Sequence, residues 1–110
     1  MARAAHPASG PSTSEVAEGF AALASCVEAH SSEAEVMERL RLSQSVCERA
    51  ALRSGGTDGG RLLTHVQQAL ETWRAVWPRL GAQREFRAAV AREARLWAKR
   101  FQETATRKHQ

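Results

Sequence analysis

Apolar side chains recur at helical spacing in the second half of the chain, between Leu62 and Leu80. The steps alternate between four and three residues, which places these positions on one side of an α-helix. A stripe this wide has to be buried. It predicts a helix over 61–77, which we expect to end or kink at Trp77 because Pro78 cannot donate to the preceding turn. The stripe comprises Leu62, Val66, Ala69, Trp73, Val76 and Leu80, with Leu63, Leu70 and Trp77 beside it.

Three further segments carry apolar residues at helical spacing and predict helices over 14–29, 33–54 and 83–106. The stripe of the 33–54 segment is thin because Ser43 and Gln44 interrupt it. The main apolar positions of the other two segments are Val16, Phe20, Leu23 and Val27 in the first, and Phe86, Val90, Ala94, Trp97 and Phe101 in the last.

Two pairs of residues have the spacing of a capping box, in which a Ser side chain and a Glu three residues later satisfy each other's backbone N–H groups. Ser12 with Glu15 predicts a helix start near residue 14, and Ser32 with Glu35 predicts a start at 33. The sequence leaves open whether the first two helices are separate or continuous.

Four glycines among residues 55–60 predict a flexible linker between two pairs of helices. Polar and Pro-containing ends predict disordered tails at 1–13 and 107–110. The predicted fold is therefore all-α, a small bundle of three to four helices in which two helical hairpins are joined by the linker. We expect the closest pairing between the last two helices, because they hold five of the six aromatic residues.

Large apolar residues are scarce, since Leu, Val and Phe together make 19 of 110 residues. We therefore expect a domain that is weakly stable alone and that a partner protein completes by covering a helix face, in a hetero-complex rather than a homo-oligomer. For Trp73 and Trp77 the alternative is that they belong to the core, which their helical spacing favours. Candidate interface residues are Trp73, Trp77, Leu63, Leu70 and Leu80.

Positive charge is concentrated at the C-terminal end, where residues 79–110 contain nine Arg and Lys against three Glu. Residues 1–78 contain seven Arg and Lys against nine Asp and Glu. A basic helix face can contact nucleic acid, an acidic protein surface or only solvent. Its candidate residues are Arg84, Arg87, Arg92, Arg95 and Lys99.

The His and Cys residues have no spacing that is typical of a metal, cofactor or catalytic site, and no small-molecule substrate is evident. Cys26 and Cys47 are expected to be reduced in an intracellular protein, cytoplasmic or nuclear, because no signal peptide or membrane-spanning run is evident. The sequence thus predicts a non-catalytic helical adaptor or small subunit of a protein complex, without an enzyme site. The alternative is a nucleic-acid-binding protein that uses the basic face of its last helix.

Overall fold

The computed structural model describes residues 13–54 and 58–108, and these form four α-helices without strands, which confirms the all-α bundle. Residues 1–12 of the predicted tail at 1–13 and half of the predicted linker at 55–60, residues 55–57, lie outside the described residues. Residues 109–110 of the predicted C-terminal tail at 107–110 also lie outside them, whereas residues 107–108 belong to the last helix. The helices are α1 (Thr13–Glu28), α2 (Glu33–Ser54), α3 (Asp58–Leu80) and α4 (Arg84–Lys108).

The four helices form an up-and-down bundle in which each helix is antiparallel to its neighbours. The end of α1 contacts the first half of α4, where Glu28 binds Arg95. Farther along, Phe20 of α1 stacks on Phe101 of α4 with ring centroids 6.1 Å apart. The helices α1 and α2, and likewise α2 and α3, also pack side by side. The order around the bundle is therefore α1, α2, α3, α4, with α4 returning to α1.

The spacing between helices follows the size of the side chains that separate them. The closest backbone packing is between α1 and α4, where Ala17, Ala24, Ala91 and Ala94 are buried. The backbones of α3 and α4 approach each other at only a few points. Our expectation that α3 and α4 make the closest pair was therefore wrong: their aromatic rings hold the two helices apart, and alanines allow α1 to approach α4.

The apolar stripes of all four helices meet in one core. Its largest fully buried side chains are those of Trp77, Phe20 and Phe101. Apolar residues of the thin α2 stripe, including Val36 and Leu40, are fully buried as well. The four helices therefore bury a common core within the single chain.

The capping box predicted at the start of α2 is present. Ser32 Oγ accepts a hydrogen bond from the Glu35 N–H at 3.2 Å, and Glu35 Oε1 accepts one from the Ser32 N–H at 3.1 Å. These bonds satisfy backbone donors that the first turn of a helix leaves without partners. Because this cap follows a turn at residues 29–30, α1 and α2 are separate helices.

His30 closes the C-terminal end of α1 in a left-handed conformation, with φ of 57°. The His30 N–H donates to the Val27 carbonyl at 3.1 Å, and the Ser31 N–H donates to the Cys26 carbonyl at 3.2 Å. This pair of bonds is the Schellman motif, whose left-handed position is usually glycine. A histidine there carries the steric cost that a Cβ atom meets in this conformation.

Replacing His30 by glycine is therefore expected to raise the free energy of unfolding by about 0.5–1 kcal/mol, because glycine removes the Cβ strain. Chemical denaturation followed by circular dichroism measures the change. As a control, Ala29→Gly should lower stability, since Ala29 does not have positive φ and glycine only adds unfolded-state entropy there. Equal effects of the two substitutions would contradict the role assigned to His30.

The bounds of α3 differ from the predicted 61–77 at both ends. Asp58, Gly59 and Gly60 belong to the helix although they were expected in the linker. The helix also continues through Pro78 to Leu80. Pro78 lies in the last turn of the helix. Its missing N–H removes one hydrogen bond there, and no later helical turn depends on that bond. The Gly81 N–H then donates to the Trp77 carbonyl at 2.7 Å.

Candidate interaction surfaces

Four of the five candidate interface residues lie in the core. Leu63, Leu70 and Trp77 are fully buried, and Trp73 is nearly so. Leu80 is half-buried at the end of α3. The structure thus places Trp73 and Trp77 in the core, as the alternative interpretation had it, together with Leu63 and Leu70, and a partner cannot reach these four side chains while the bundle is closed.

The five candidate basic residues do not form one surface. Arg84, Arg92 and Lys99 are exposed. Arg95 lies along α1, where its Nε donates to a carboxylate oxygen of Glu28 at 2.9 Å. The hydrogen bond and charge of Arg95 lower the pKa of Glu28.

Arg87 points into the bundle, which corrects its assignment to an outward basic face. Its guanidinium donates to the carbonyls of Gly81 at 2.8 Å and Val27 at 3.1 Å. It also lies over the Trp77 ring, with the guanidinium carbon 5.5 Å from the ring centroid. Arg87 therefore places a positive charge at the C-terminal ends of α1 and α3, where helix dipoles favour a cation.

A groove runs along the outside of the bundle between the second half of α1 and the first half of α2. We call it the α1–α2 groove, and it has a volume of about 710 Å³. Small side chains make up much of its lining, and Leu42 lies at one edge with 39% of its surface exposed. The charged side chains of Glu35, Glu38 and Arg39 line the α2 side. The remaining lining residues are Ala22, Ser25, Cys26, Ser31 and Ala34.

The two cysteines have different surroundings and are both free thiols. Cys26 is half-buried and lines the α1–α2 groove. Cys47 is buried in the core, and this burial raises the pKa of its thiol to about 12. Because the thiolate is the reactive form, Cys47 should be inert in the folded protein.

Iodoacetamide at pH 8 is therefore expected to alkylate Cys26 and to leave Cys47 unmodified in the native protein. At that pH only roughly one Cys47 thiol in ten thousand would be ionised if its pKa is about 12. Intact-mass spectrometry should show one adduct under native conditions and two after denaturation, and peptide mapping identifies the site. Comparable rates at the two cysteines in the folded chain would show that the core around Cys47 is open.

A second surface lies on the opposite side of the bundle, where α3 and α4 are held apart. We call it the α3–α4 seam and define it by His65, Leu96 and Trp97, together with half-buried neighbours. The His65 and Trp97 rings lie 6.1 Å apart across the seam. The indole Nε1 of Trp97 is buried and has no hydrogen-bond partner among the described residues, so the seam leaves one donor unsatisfied. The half-buried neighbours are Leu62, Val76, Leu80 and Phe86.

Among the described residues, Leu96 is one of three exposed large apolar side chains, with 62% of its surface exposed. Arg92, Lys99 and Arg100 lie one helical turn away from it on α4. Arg100 also lies over the Trp97 ring, with its guanidinium carbon 5.9 Å from the centroid. Leu96 therefore lies between Arg92 and Lys99 on the outer face of α4 and Arg100, which is beside the half-buried Trp97 on the side of the seam.

Charge divides the bundle into two halves. The segment 13–54, which forms α1 and α2, contains seven Glu and four Arg, a net charge of −3. The segment 58–108, which forms α3 and α4, contains eleven Arg and Lys and five Asp and Glu, a net charge of +6. The α1–α2 groove thus lies in the acidic half and the α3–α4 seam in the basic half.

The part of the chain that the structure describes contains no cluster of three His, Cys, Asp or Glu side chains that could hold a metal ion. In residues 13–54 and 58–108, no helix combines the length and apolar character that a membrane crossing requires. No family model, curated protein or solved structure matches the chain.

The sequence pattern did not indicate the α1–α2 groove or the exposure of Leu42 and Leu96. Helical periodicity identifies the faces that point inward, whereas a groove forms between the outer edges of two neighbouring helices. One signal was present: residues 21–26 of α1 read AALASC and contain a single large side chain, Leu23, which points into the core.

Proposed function

We propose that the chain is a non-catalytic helical adaptor, or a small subunit of a protein complex, that binds an α-helix of a partner protein in the α1–α2 groove. The observation that carries the proposal is a concave surface lined by small side chains with an exposed leucine at its edge. Grooves that offer apolar contacts bind the apolar face of an amphipathic helix.

The lining of the groove fits a helix better than a flat protein surface. Ala22, Ser25 and Ala34 have short side chains, so the backbone of a bound helix can approach α1 and α2 closely. Leu42 offers an apolar contact at one edge. Glu35, Glu38 and Arg39 line the α2 side, where their charged groups can stay hydrated or pair with polar groups of the partner.

The role of the partner differs from the one expected from the sequence. The scarcity of large apolar residues indicated a partner that completes the core, but the core is closed within the single chain. Binding therefore uses an outer surface of a folded bundle. The free thiols of Cys26 and Cys47 suit a reducing intracellular compartment.

Nucleic-acid binding by α4 has less support from the geometry. Of its five candidate contacts, Arg87 holds carbonyls inside the bundle and Arg95 is paired with Glu28. Arg84, Arg92 and Lys99 remain, and Glu85 and Glu93 are exposed beside them. Carboxylates beside so few cations would repel a phosphate backbone.

The experiment is an affinity purification from the native source of the protein. The wild-type chain and two variants serve as baits, and the proteins that each bait retains are compared. The groove variant combines Ala22→Arg and Ala34→Arg, which fills the groove with long charged side chains. The matched control combines Ala75→Arg and Ala88→Arg, two exposed alanines on α3 and α4 that lie outside the groove. Circular dichroism establishes that both variants remain folded.

We expect a partner identified by mass spectrometry to be retained by the wild type and by the control, and to be lost with the groove variant. Retention by all three chains would exclude the groove as the docking site. Recovery of nucleic acid that salt removes from all three chains would favour the nucleic-acid alternative.

A further inference from the structure

We infer that the α3–α4 seam is a second docking surface and that its occupant is an acidic amphipathic helix of a partner protein. This surface is independent of the α1–α2 groove, because it is formed by different helices on the opposite side of the bundle. Its occupant is an acidic protein rather than nucleic acid, a basic protein or a second copy of the chain.

The seam provides an apolar anchor for such a helix. Leu96 is exposed although the other large apolar side chains of α4 are at least half-buried. Trp97, the next residue, is half-buried between His65 and Arg100. Trp and Arg are the residues that contribute most often to binding hot spots, where an apolar centre is surrounded by polar groups.

The apolar contacts extend from Leu96 towards α3. Leu62 and Val76 lie three and eleven residues from His65, which places them on the same side of α3. Both are half-buried, and so is Phe86 on α4. Because α3 and α4 are the most widely separated neighbours in the bundle, a helix laid along the seam would cover side chains that the bundle itself only partly buries.

The charges around the anchor favour an acidic occupant. Arg92 precedes Leu96 by four residues, and Lys99 and Arg100 follow it by three and four, so all three lie within one turn of it. Glu93 lies at the same distance from Leu96 and, four residues before Trp97, on the seam side of α4, so the local charge is three cations against one carboxylate. Complementary charge raises association rates and selects the partner.

An acidic helix fits this pattern better than nucleic acid does. A nucleic-acid strand presents a phosphate at every nucleotide, so Glu85, Glu93 and Glu103 would repel it along the whole of α4. A helix can place acidic side chains opposite Arg92 and Lys99 and leave other positions neutral. It can also supply apolar groups for Leu96, which lies in the centre of the cations.

The two surfaces can be occupied at the same time, because α1 with α2 and α3 with α4 form opposite sides of the bundle. The groove lies in the half with net charge −3 and the seam in the half with net charge +6. Two partners of different charge would thus be held on one small domain.

The test selects seam ligands from a phage-displayed library of helical peptides with randomised surface positions. The immobilised chain carries the Ala22→Arg and Ala34→Arg substitutions, so that ligands of the groove are excluded. Affinities of selected peptides are then measured by fluorescence anisotropy. Two seam variants are compared, Leu96→Ser and the double variant Arg92→Glu with Lys99→Glu. The matched control, Arg39→Glu with Arg49→Glu, makes the same charge change on α2.

We expect selected peptides to carry an excess of Asp and Glu, with apolar residues at steps of three and four. Each seam variant should weaken binding by about tenfold or more, and the control by less than about twofold. Enrichment of basic or uncharged peptides, or binding that tolerates both seam variants, would overturn the inference. A labelled single-stranded oligonucleotide that binds more tightly than the peptides and tolerates Leu96→Ser would overturn it in favour of nucleic acid.

Discussion

Replacing Arg87 by alanine is expected to lower the free energy of unfolding by about 3 kcal/mol. The substitution removes two hydrogen bonds from a charged donor, to the Gly81 and Val27 carbonyls, and each such bond contributes about 1.5–3 kcal/mol. It also removes the contact with the Trp77 ring. Part of the guanidinium is buried and its Nε has no hydrogen-bond partner among the described residues, which costs free energy. The net loss of stability is therefore about that of one to two such hydrogen bonds.

Urea denaturation followed by circular dichroism measures this loss. Arg84→Ala is the matched control, because Arg84 is an exposed arginine at the start of the same helix and its removal should change stability by less than about 0.5 kcal/mol. Arg87→Lys should recover only part of the loss, since an ammonium group cannot reproduce the two-pronged contact. Equal effects of Arg87→Ala and Arg84→Ala would show that Arg87 does not join α1 to the turn before α4.

Replacing Gly81 by alanine is expected to cost about 2–3 kcal/mol. A Cβ at this position would lie 2.6 Å from Trp77 Nε1 and 2.7 Å from the Trp77 carbonyl oxygen. Trp77 is fully buried and its carbonyl belongs to the helix backbone, so neither atom can move without disturbing the core. The turn between α3 and α4 would have to shift.

Gly19, unlike Gly81, has room for a Cβ atom. A Cβ there would lie 3.6 Å from Ser43 Oγ, which is an ordinary contact. Gly19→Ala should therefore stabilise the protein by up to about 1 kcal/mol, because alanine favours the helix. Thermal denaturation of the two variants measures both effects. A Gly81→Ala variant as stable as the wild type would contradict the tight packing of the turn on Trp77.

The helices could be predicted from the sequence because periodicity and capping are local. The Ser32 and Glu35 pair placed the start of α2, and the hydrogen bonds are those that the spacing predicted. The end of α3 was harder to predict, because the effect of Pro78 depends on its position within the last turn. His30 offered no local signal, since a left-handed residue at a helix end is most often glycine.

The packing order could not be predicted from the same pattern. Ala17 and Ala24 looked like a weak apolar face, yet their small size is what lets α1 approach α4. The aromatic residues looked like the tightest interface, and they hold α3 and α4 apart. Side-chain size sets the distance between helices, and periodicity contains no information on the partner across the interface.

Which candidate residues are buried and which are exposed could also be predicted only in part from the sequence. Arg87 is the member of the basic cluster nearest the apolar stripe, seven residues before Ala94, so its inward position had a signal in the spacing. Trp73 and Trp77 were candidates for an interface as well as for the core, and only the packing of all four helices decides for the core. The groove has no pattern of its own, because it depends on two helices at once.

The central claim is that a partner helix occupies the α1–α2 groove, and the alkylation rate of Cys26 tests it most directly. Cys26 lines the groove and Cys47 is buried, so the native chain carries a single reporter thiol at the proposed site. The rate with iodoacetamide is measured for the free chain and for the complex with the co-purified partner at saturating concentration. We expect the partner to slow alkylation of Cys26 by at least about tenfold, because a bound helix excludes the reagent. An unchanged rate in a saturated complex would show that the partner binds elsewhere.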